Sequence, residues 1–593
     1  MKNLDYAATV LKGGFWKKYE DLNRTVTVNS VYDRFKETGR FDALRCDWRE
    51  GMENKPHIYW DSDVAKWIEG ASYIIEAHGA PDLEKRIDEA VEDIARNQRA
   101  DGYFNSYYLT VDPAGIFQDR SRHELYCAGH MIEAAIAYHR ATGKDKLLRC
   151  MLRYIDYIYR VFVTEKSAAF VTPGHEEIEI ALLKLYEYQG DPKHLELARF
   201  FLNLRGNNDG EEKSTANQSD LPCREIEVAV GHAVRAGYLY TAMALLARID
   251  GDSGMKEACL RVWDDITKRK MSVTGGIGAD HQGEQFSYAY DLPNRDTYNE
   301  TCAAISLALF AGAMQEIDLD ARYADVIERV YYNGFLSGVS LSGDHFFYAN
   351  ALEIDRRKYA RSSYQPACER VKVFRCSCCP PNVVRMLASL PRFLYTVDED
   401  RIVCNQFMES ETKLVVGGKD AVITQTTDYP FSGKIRFTYR GEKTALYVRI
   451  PDWCVEFEGK TEKGYLRVDL TGEDDFNLDL PMEIHFLEAN PEVGDDAGRF
   501  AVQRGPVVYC LEGADNGENL RDVTLLQDGH PDVIRDEAIP APVIRMDAWR
   551  RETFGDLYRI RRVEKKSFRA RLIPYFAFAN RGADDMILWT MLG

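Results

Sequence analysis

The chain has no apolar run long enough to cross a membrane: the longest, "CAAISLALFAGAM" at 302–314, falls short of the roughly 18 residues that a spanning helix needs. It also has no basic block. Acidic side chains outnumber basic ones 94 to 76, and the formal net charge of −18 opposes phosphate backbones and anionic lipid surfaces. Nucleic-acid and membrane partners are therefore not expected, whereas an uncharged small substrate is allowed. The opening "MKNLDYAATVLKGGFWKKYEDLN" has no apolar core followed by a small-residue cleavage site, so no secretory signal is read and a cytoplasmic location is expected.

No fixed-length repeat of the tetratricopeptide kind is present. A small disulfide scaffold is excluded as well. The thirteen cysteines are an odd number, and Cys46, Cys127, Cys150, Cys223, Cys259, Cys404 and Cys510 lie singly and far apart. Reduced thiols are expected, which leaves the one dense group, Cys376, Cys378 and Cys379 in "VFRCSCCPPN", free to bind a metal or act as nucleophiles.

With 593 residues, 45% of them hydrophobic, the chain is folded and exceeds one ordinary core. From about 60 to 395 it reads as successive helices. "DVAKWIEGASYIIEAH" sets Val64, Trp67, Ile68, Ala71 and Ile74 on one stripe, and further helices are predicted at 122–140, 145–163, 176–189, 194–203, 226–247, 254–269, 298–315, 319–333 and 381–394. Such an array of helical hairpins closes into a toroid or stays open as a solenoid, and the local pattern does not choose. After about 400 the period changes to that of short strands such as "RIVCNQF", "KIRFTYR" and "GPVVYCLEG", read as antiparallel sandwich-like sheets joined by strands from residues 1–20.

Three segments carry chemistry. Cys378 and Cys379 precede Pro380-Pro381 and "NVVRMLASL"; proline suits a first helical turn, and the positive end of that helix favours a thiolate. "TYNETCAAI" opens another helix with Glu300 and Cys302. An i,i+2 pair points apart within a helix but can converge at a loop-to-helix junction. Glu300, Cys302, Cys378 and Cys379 make a sensible four-ligand set for Zn2+, with buried or redox-active thiols as the alternative. The third segment, "SVTGGIGADHQGEQFSYAYDLPN", carries His281 and Glu284 on a glycine-rich loop without the context of a phosphate cradle. Glu284 is either the proton donor that glycosidic cleavage requires or a solvated loop carboxylate.

Taken together, "HELYCAGHMIEAAIAYHRATG", "GHEEIEIALLKLYEYQGD", "GHAVRAGYLY", "NETCAAI", "ERVYYNGFLSG" and "CSCCPPN" resemble, in this order, the beta-L-arabinofuranosidases of glycoside hydrolase family 127. The resemblance covers nearly the whole chain. It implies a mainly α fold with β accessory domains: an N-terminal strand segment at 1–20, a catalytic (α/α)6 barrel at 21–399, and a C-terminal β-sandwich region at 400–593 in two subdomains. It implies a Zn2+ site at Glu300, Cys302, Cys378 and Cys379, with Cys378 as nucleophile and Glu284 as acid/base in retaining double displacement.

The same resemblance implies sugar contacts at His130, His175, His232 and Tyr348, with Glu176, Glu177 or Glu179 available to orient His175. A histidine lining a helix is otherwise an ordinary structural group. The implied substrate is a terminal β-L-arabinofuranosyl residue of an oligosaccharide or glycoconjugate; related members act on other pentofuranose-like or branched acidic plant sugars. A helical-barrel epimerase and a noncatalytic carbohydrate-binding protein are the readings from other classes. Large enzymes with accessory β domains are commonly symmetric, so a homodimer is expected.

Overall fold

A computed structural model describes residues 1–359, 368–372, 376–398, 400–560 and 565–593. Residue 399, the last of the helical region predicted from sequence, lies outside the described residues, as do residues 373–375 at the start of the cysteine motif.

Six helices form the inner wall of the N-terminal part: Trp60–His78, Glu124–Thr142, Ile178–Gln189, Ala233–Asp250, Thr301–Gln315 and Cys379–Ala388. Each packs on the next, and the last returns to the first, so the array closes. These helices are apolar nearly all round because both faces are covered. In Thr301–Gln315 all but one residue is buried. Outer partners such as Pro81–Asn97 and Lys146–Tyr159 instead carry one apolar stripe, Leu83, Ile87, Val91 and Ile94 in the first. Gly70 allows the closest approach across the seam, since a Cβ there would meet the backbone nitrogen of Arg385 at 2.8 Å.

Two boundaries differ from the sequence reading. The helix expected from 226 begins at Ala233, because Gly231 takes φ +70° and His232 caps the helix with its side chain. Residues 1–20 are only partly strand: Lys2–Asn3 and Thr9–Leu11 pair with Tyr395–Val397 and Ser410–Val416, but Gly14–Leu22 and Val28–Glu37 are helices. The β-branched "TVTVNSV" disguises the second, which buries Val28, Val31 and Phe35.

The C-terminal part holds three sheets, two of five strands and one of ten. They are not wholly antiparallel. Arg401–Cys404 pairs in parallel with Thr444–Arg449, and the intervening Ser410–Val416, Lys419–Thr427 and Lys434–Arg440 strands of the neighbouring sheet supply the crossover that a parallel pair needs. Among the described residues no helix is long and apolar enough to cross a membrane.

Candidate active site

Two inner helices begin at the same point. Glu300 caps Thr301–Gln315 with extended backbone (φ −57°, ψ 139°), so its carboxylate turns back toward Cys302. Cys378 caps Cys379–Ala388, whose first turn accepts Pro380 and Pro381 because no N–H is needed there. Both positive helix ends thus face one acidic group.

The donor atoms of Glu300, Cys302, Cys378 and Cys379 all lie within 4.8 Å of one another. Cys302 Sγ is 3.4 Å from Cys379 Sγ, Cys378 Sγ is 3.7 Å from Cys379 Sγ, and Glu300 Oε1 is 3.4 Å from Cys378 Sγ and 3.6 Å from Cys379 Sγ. Glu300 Oε2 is buried with no hydrogen-bond partner. Burial pushes the Glu300 carboxyl up, and Cys378 and Glu284 add to it; burial likewise pushes up the Cys379 thiol. Burial also opposes ionisation of Cys302, but hydrogen bonds from Cys378 and Cys379 outweigh it and bring that thiol down to about 6. Four acidic groups this close ionise together only around a cation, and three sulfurs with one carboxylate oxygen suit a tetrahedral Zn2+ shell.

A second buried acidic group, Glu69, His130 and Glu133, also has metal-like spacing. It already holds a cation: the Arg385 guanidinium lies 2.9 Å from Glu69 and 3.0 Å from Glu133.

Above the thiol cluster opens a cavity of about 500 Å³, bordered among others by Tyr59, Asp63, His123, Tyr126, His175, Arg235, His281, Glu284, Tyr348 and Cys378. Glu284 enters it from the glycine-rich loop in a left-handed conformation, φ +55°, between Gly283 and a bridge from Asp280 to Gln285. A non-glycine residue held there signals a constraint imposed by its surroundings. Glu284 Oε1 accepts from the Tyr298 hydroxyl at 2.8 Å, and Oε2 is 2.9 Å from His232 Nε2. Burial raises the Glu284 carboxyl, but the hydrogen bond from His232, with Tyr298 and Arg235, wins and holds it below the usual range. Burial, with Arg235 nearby, keeps His232 low as well, so the pair is a neutral imidazole donating to a carboxylate.

The sequence-selected sugar contacts divide. His175, His232 and Tyr348 border the cavity, and the Cys378 thiol donates to the Tyr348 hydroxyl at 3.2 Å. His130 does not reach it. Fully buried behind the wall, it lies 3.1 Å from Glu177, while His123, seven residues earlier in the same motif, reaches the cavity from the start of the helix. The acidic run orients His175 through the Glu176 carbonyl, which accepts from Nδ1 at 3.1 Å, and not through a carboxylate; Glu176 and Glu179 are committed to Arg205. Trp67 is core, its indole N–H donating to the Val28 carbonyl. Sequence reasoning missed Asp63, Tyr298 and Arg235. The local signals were an acid directly before the apolar stripe of Trp60–His78, the tyrosine of "TYNETC" and the arginine of "GHAVRAG".

Three family models match consecutive parts of the chain: the GH127 catalytic domain of beta-L-arabinofuranosidase at 8–392, the GH127 middle domain at 401–482 and the glycoside hydrolase family 127 C-terminal domain at 484–591. The non-reducing end beta-L-arabinofuranosidase of Bifidobacterium longum subsp. longum is 34% identical over 89% of this chain and 88% of its own. The crystal structure of a GH127 beta-L-arabinofuranosidase from Geobacillus stearothermophilus T6 superposes with a TM-score of 0.93 at 37% identity, covering 99% of this chain and 100% of that one. A further GH127 beta-arabinofuranosidase gives 0.92 at 33% identity, covering 100% and 98%. With its helical ring, its converging sulfurs and these matches along nearly its full length, the chain belongs to glycoside hydrolase family 127.

Proposed function

We propose that this enzyme is a retaining exo-glycosidase that releases terminal β-L-arabinofuranosyl residues from small oligosaccharides or glycoconjugates. The observation that carries the reading is the meeting of Cys378 Sγ and the Glu284 carboxylate on one cavity, linked by Glu300, whose carboxylate lies within 4.8 Å of Glu284 and 3.4 Å from the sulfur. The printed activities of the Bifidobacterium and Geobacillus relatives support the sugar. We read the closed helical ring as an (α/α)6 barrel and the sheets that follow it as β-sandwich domains.

In this reading Glu300, Cys302, Cys378 and Cys379 hold Zn2+, which keeps the Cys378 sulfur ionised at neutral pH. The Cys378 thiolate attacks the anomeric carbon as the bond to the departing oxygen breaks, and Glu284 gives that oxygen its proton. The Glu284 carboxylate then takes a proton from water, whose oxygen displaces the sulfur. Two inversions return the starting configuration. The Tyr348 hydroxyl, 3.2 Å from that sulfur, turns its proton to the ionised thiolate and steadies the charge that returns there. His175 offers its remaining ring nitrogen to the sugar hydroxyls, His232 lines the sugar site and holds Glu284 toward it, and His130 supports the wall from behind.

The test is a panel of pentofuranosides with proton NMR of the first sugar released. Liberation of β-L-arabinofuranose is expected; initial release of the α anomer, or isomerisation without release, refutes it. One observation favours a second substrate, a branched acidic sugar: Arg235 borders the cavity, has no carboxylate within 4.0 Å among the described residues, and its Nε lacks a partner. Acidic and neutral sugars in the same panel separate the two.

A further inference from the structure

Lys66 lies on the inner helix Trp60–His78 and is fully buried. Its ammonium donates to the Tyr126 hydroxyl at 3.0 Å and stands 5.3 Å from the centre of that ring. Among the described residues no carboxylate comes within 4.0 Å of it. The nearby acids on its own helix are committed elsewhere, Asp63 to Arg40 at 2.9 Å and Glu69 to Arg385 at 2.9 Å. A buried ammonium without an anionic partner is strongly disfavoured, so its charge is balanced by another group.

The candidates are sulfurs. Tyr126 and Asp63 border the same cavity as Cys302 and Cys378, and the helix carrying Lys66 packs along Cys379–Ala388. Burial works against the Lys66 charge, but Cys378, then Asp63 and Cys302, more than offset it and hold the ammonium above its usual range. Three thiolates and a carboxylate also carry two more negative charges than a divalent ion neutralises, so the cluster needs a further cation as much as Lys66 needs an anion.

We infer that Lys66 is the built-in counter-cation of the thiolate cluster and a positioning residue that makes Cys378 a better leaving group in the second half of the reaction. The inference rests on Cys378 being the nucleophile. When the S–C bond forms, negative charge leaves the sulfur, the C–O bond breaks and the Glu284 proton passes to the departing oxygen. When water attacks, its proton goes to Glu284 and the S–C electron pair returns to sulfur. A fixed positive charge buried behind Tyr126, on the wall of the same cavity, favours the thiolate over the thioether, slowing the first event and speeding the second.

The experiment compares zinc-loaded wild type, Lys66→Met and Lys66→Arg on an aryl β-L-arabinofuranoside, with acid quench and intact mass, and with the cobalt-loaded proteins in absorption. For Lys66→Met, kcat falls on the order of tenfold while kcat/KM changes less than about threefold, and the adduct fraction at steady state rises. Its thiolate-to-cobalt charge-transfer band moves to longer wavelength, and Lys66→Arg restores both readings. Equal losses in kcat and kcat/KM with an unmoved band overturn the inference. If wild type itself carries no Cys378 adduct, the nucleophile assignment fails, and with it the leaving-group role; the cobalt band then decides the counter-cation alone. Should Lys66→Met not fold, Tyr126→Phe removes the hydrogen bond that holds the ammonium, and an unmoved band there overturns the counter-cation role.

Discussion

His232 Nε2 lies 2.9 Å from Glu284 Oε2, while Nδ1 of the same ring accepts the Arg235 N–H at the start of Ala233–Asp250. The cap fixes the tautomer. With Nδ1 turned to the positive end of a helix and Arg235 beside it, the proton sits on Nε2 and the ring stays neutral. In the proposed reaction Glu284 is thereby ready as the base of the second step, and becomes the acid of the first only when the pair gains a proton.

Replacing His232 by alanine removes the largest stabiliser of the Glu284 carboxylate, so that group's pKa rises. An acid must carry its proton, so kcat/KM falls as pH rises through the Glu284 titration. The alkaline limb of the profile therefore moves to higher pH in His232→Ala. A limb displaced downward or unmoved would separate His232 from Glu284 ionisation.

Glu284→Gln keeps the shape but cannot move a proton. With a sugar leaving group kcat falls by about 10²- to 10⁴-fold. With an activated aryl leaving group the first step needs little protonation, so a burst of phenol precedes a slow phase in stopped-flow absorbance. Loss of activity with no burst on any leaving group would place Glu284 elsewhere in the reaction.

Removing a donor empties the metal shell without touching the helices. Cys302→Ser and Glu300→Gln should each lower zinc affinity at least about tenfold in chelator competition, with the far-ultraviolet dichroism unchanged. Wild-type affinity in either variant would remove that residue from the shell.

Arg385 joins the helix Cys379–Ala388 to the core of the helical ring, with guanidinium contacts to Glu69, Glu133 and the Tyr238 hydroxyl. Arg385→Met leaves the buried Glu69 carboxylate without its cation and Glu133 with Lys184 alone, and costs about 3–5 kcal/mol, read as a lower denaturation midpoint. A midpoint equal to wild type would mean that Lys184, which also reaches Glu133, carries the compensation alone.

Local sequence carried the parts of the site that lie within a few residues of one another. "NETC" and "CCPPN" announce two helix starts with ligands at their ends, and those starts meet because the inner helices return to one rim. The glycines of the Glu284 loop were legible for the same reason: Gly278 and Gly283 take positive φ, and the turn they allow is local. Asp63, Lys66, Tyr298 and Arg235 were not legible as site residues. Each looks like an ordinary acid, base or aromatic on its own element, and only closure of the ring turns it inward. His130 was read as a sugar contact and His123 was passed over, since depth along a helix decides which one reaches the cavity, and depth is set by the neighbours. The helix at Val28–Glu37 escaped notice because packing of Val28, Val31 and Phe35 overrides the strand preference of its β-branched residues.

The most direct test of the whole reading is intact-mass analysis and peptide mapping of enzyme quenched during turnover of a β-L-arabinofuranoside. A population heavier by one dehydrated pentose, mapped to Cys378 and absent from Cys378→Ala, is the result expected. Full turnover by Cys378→Ala, or an adduct carried by a carboxylate, would contradict it.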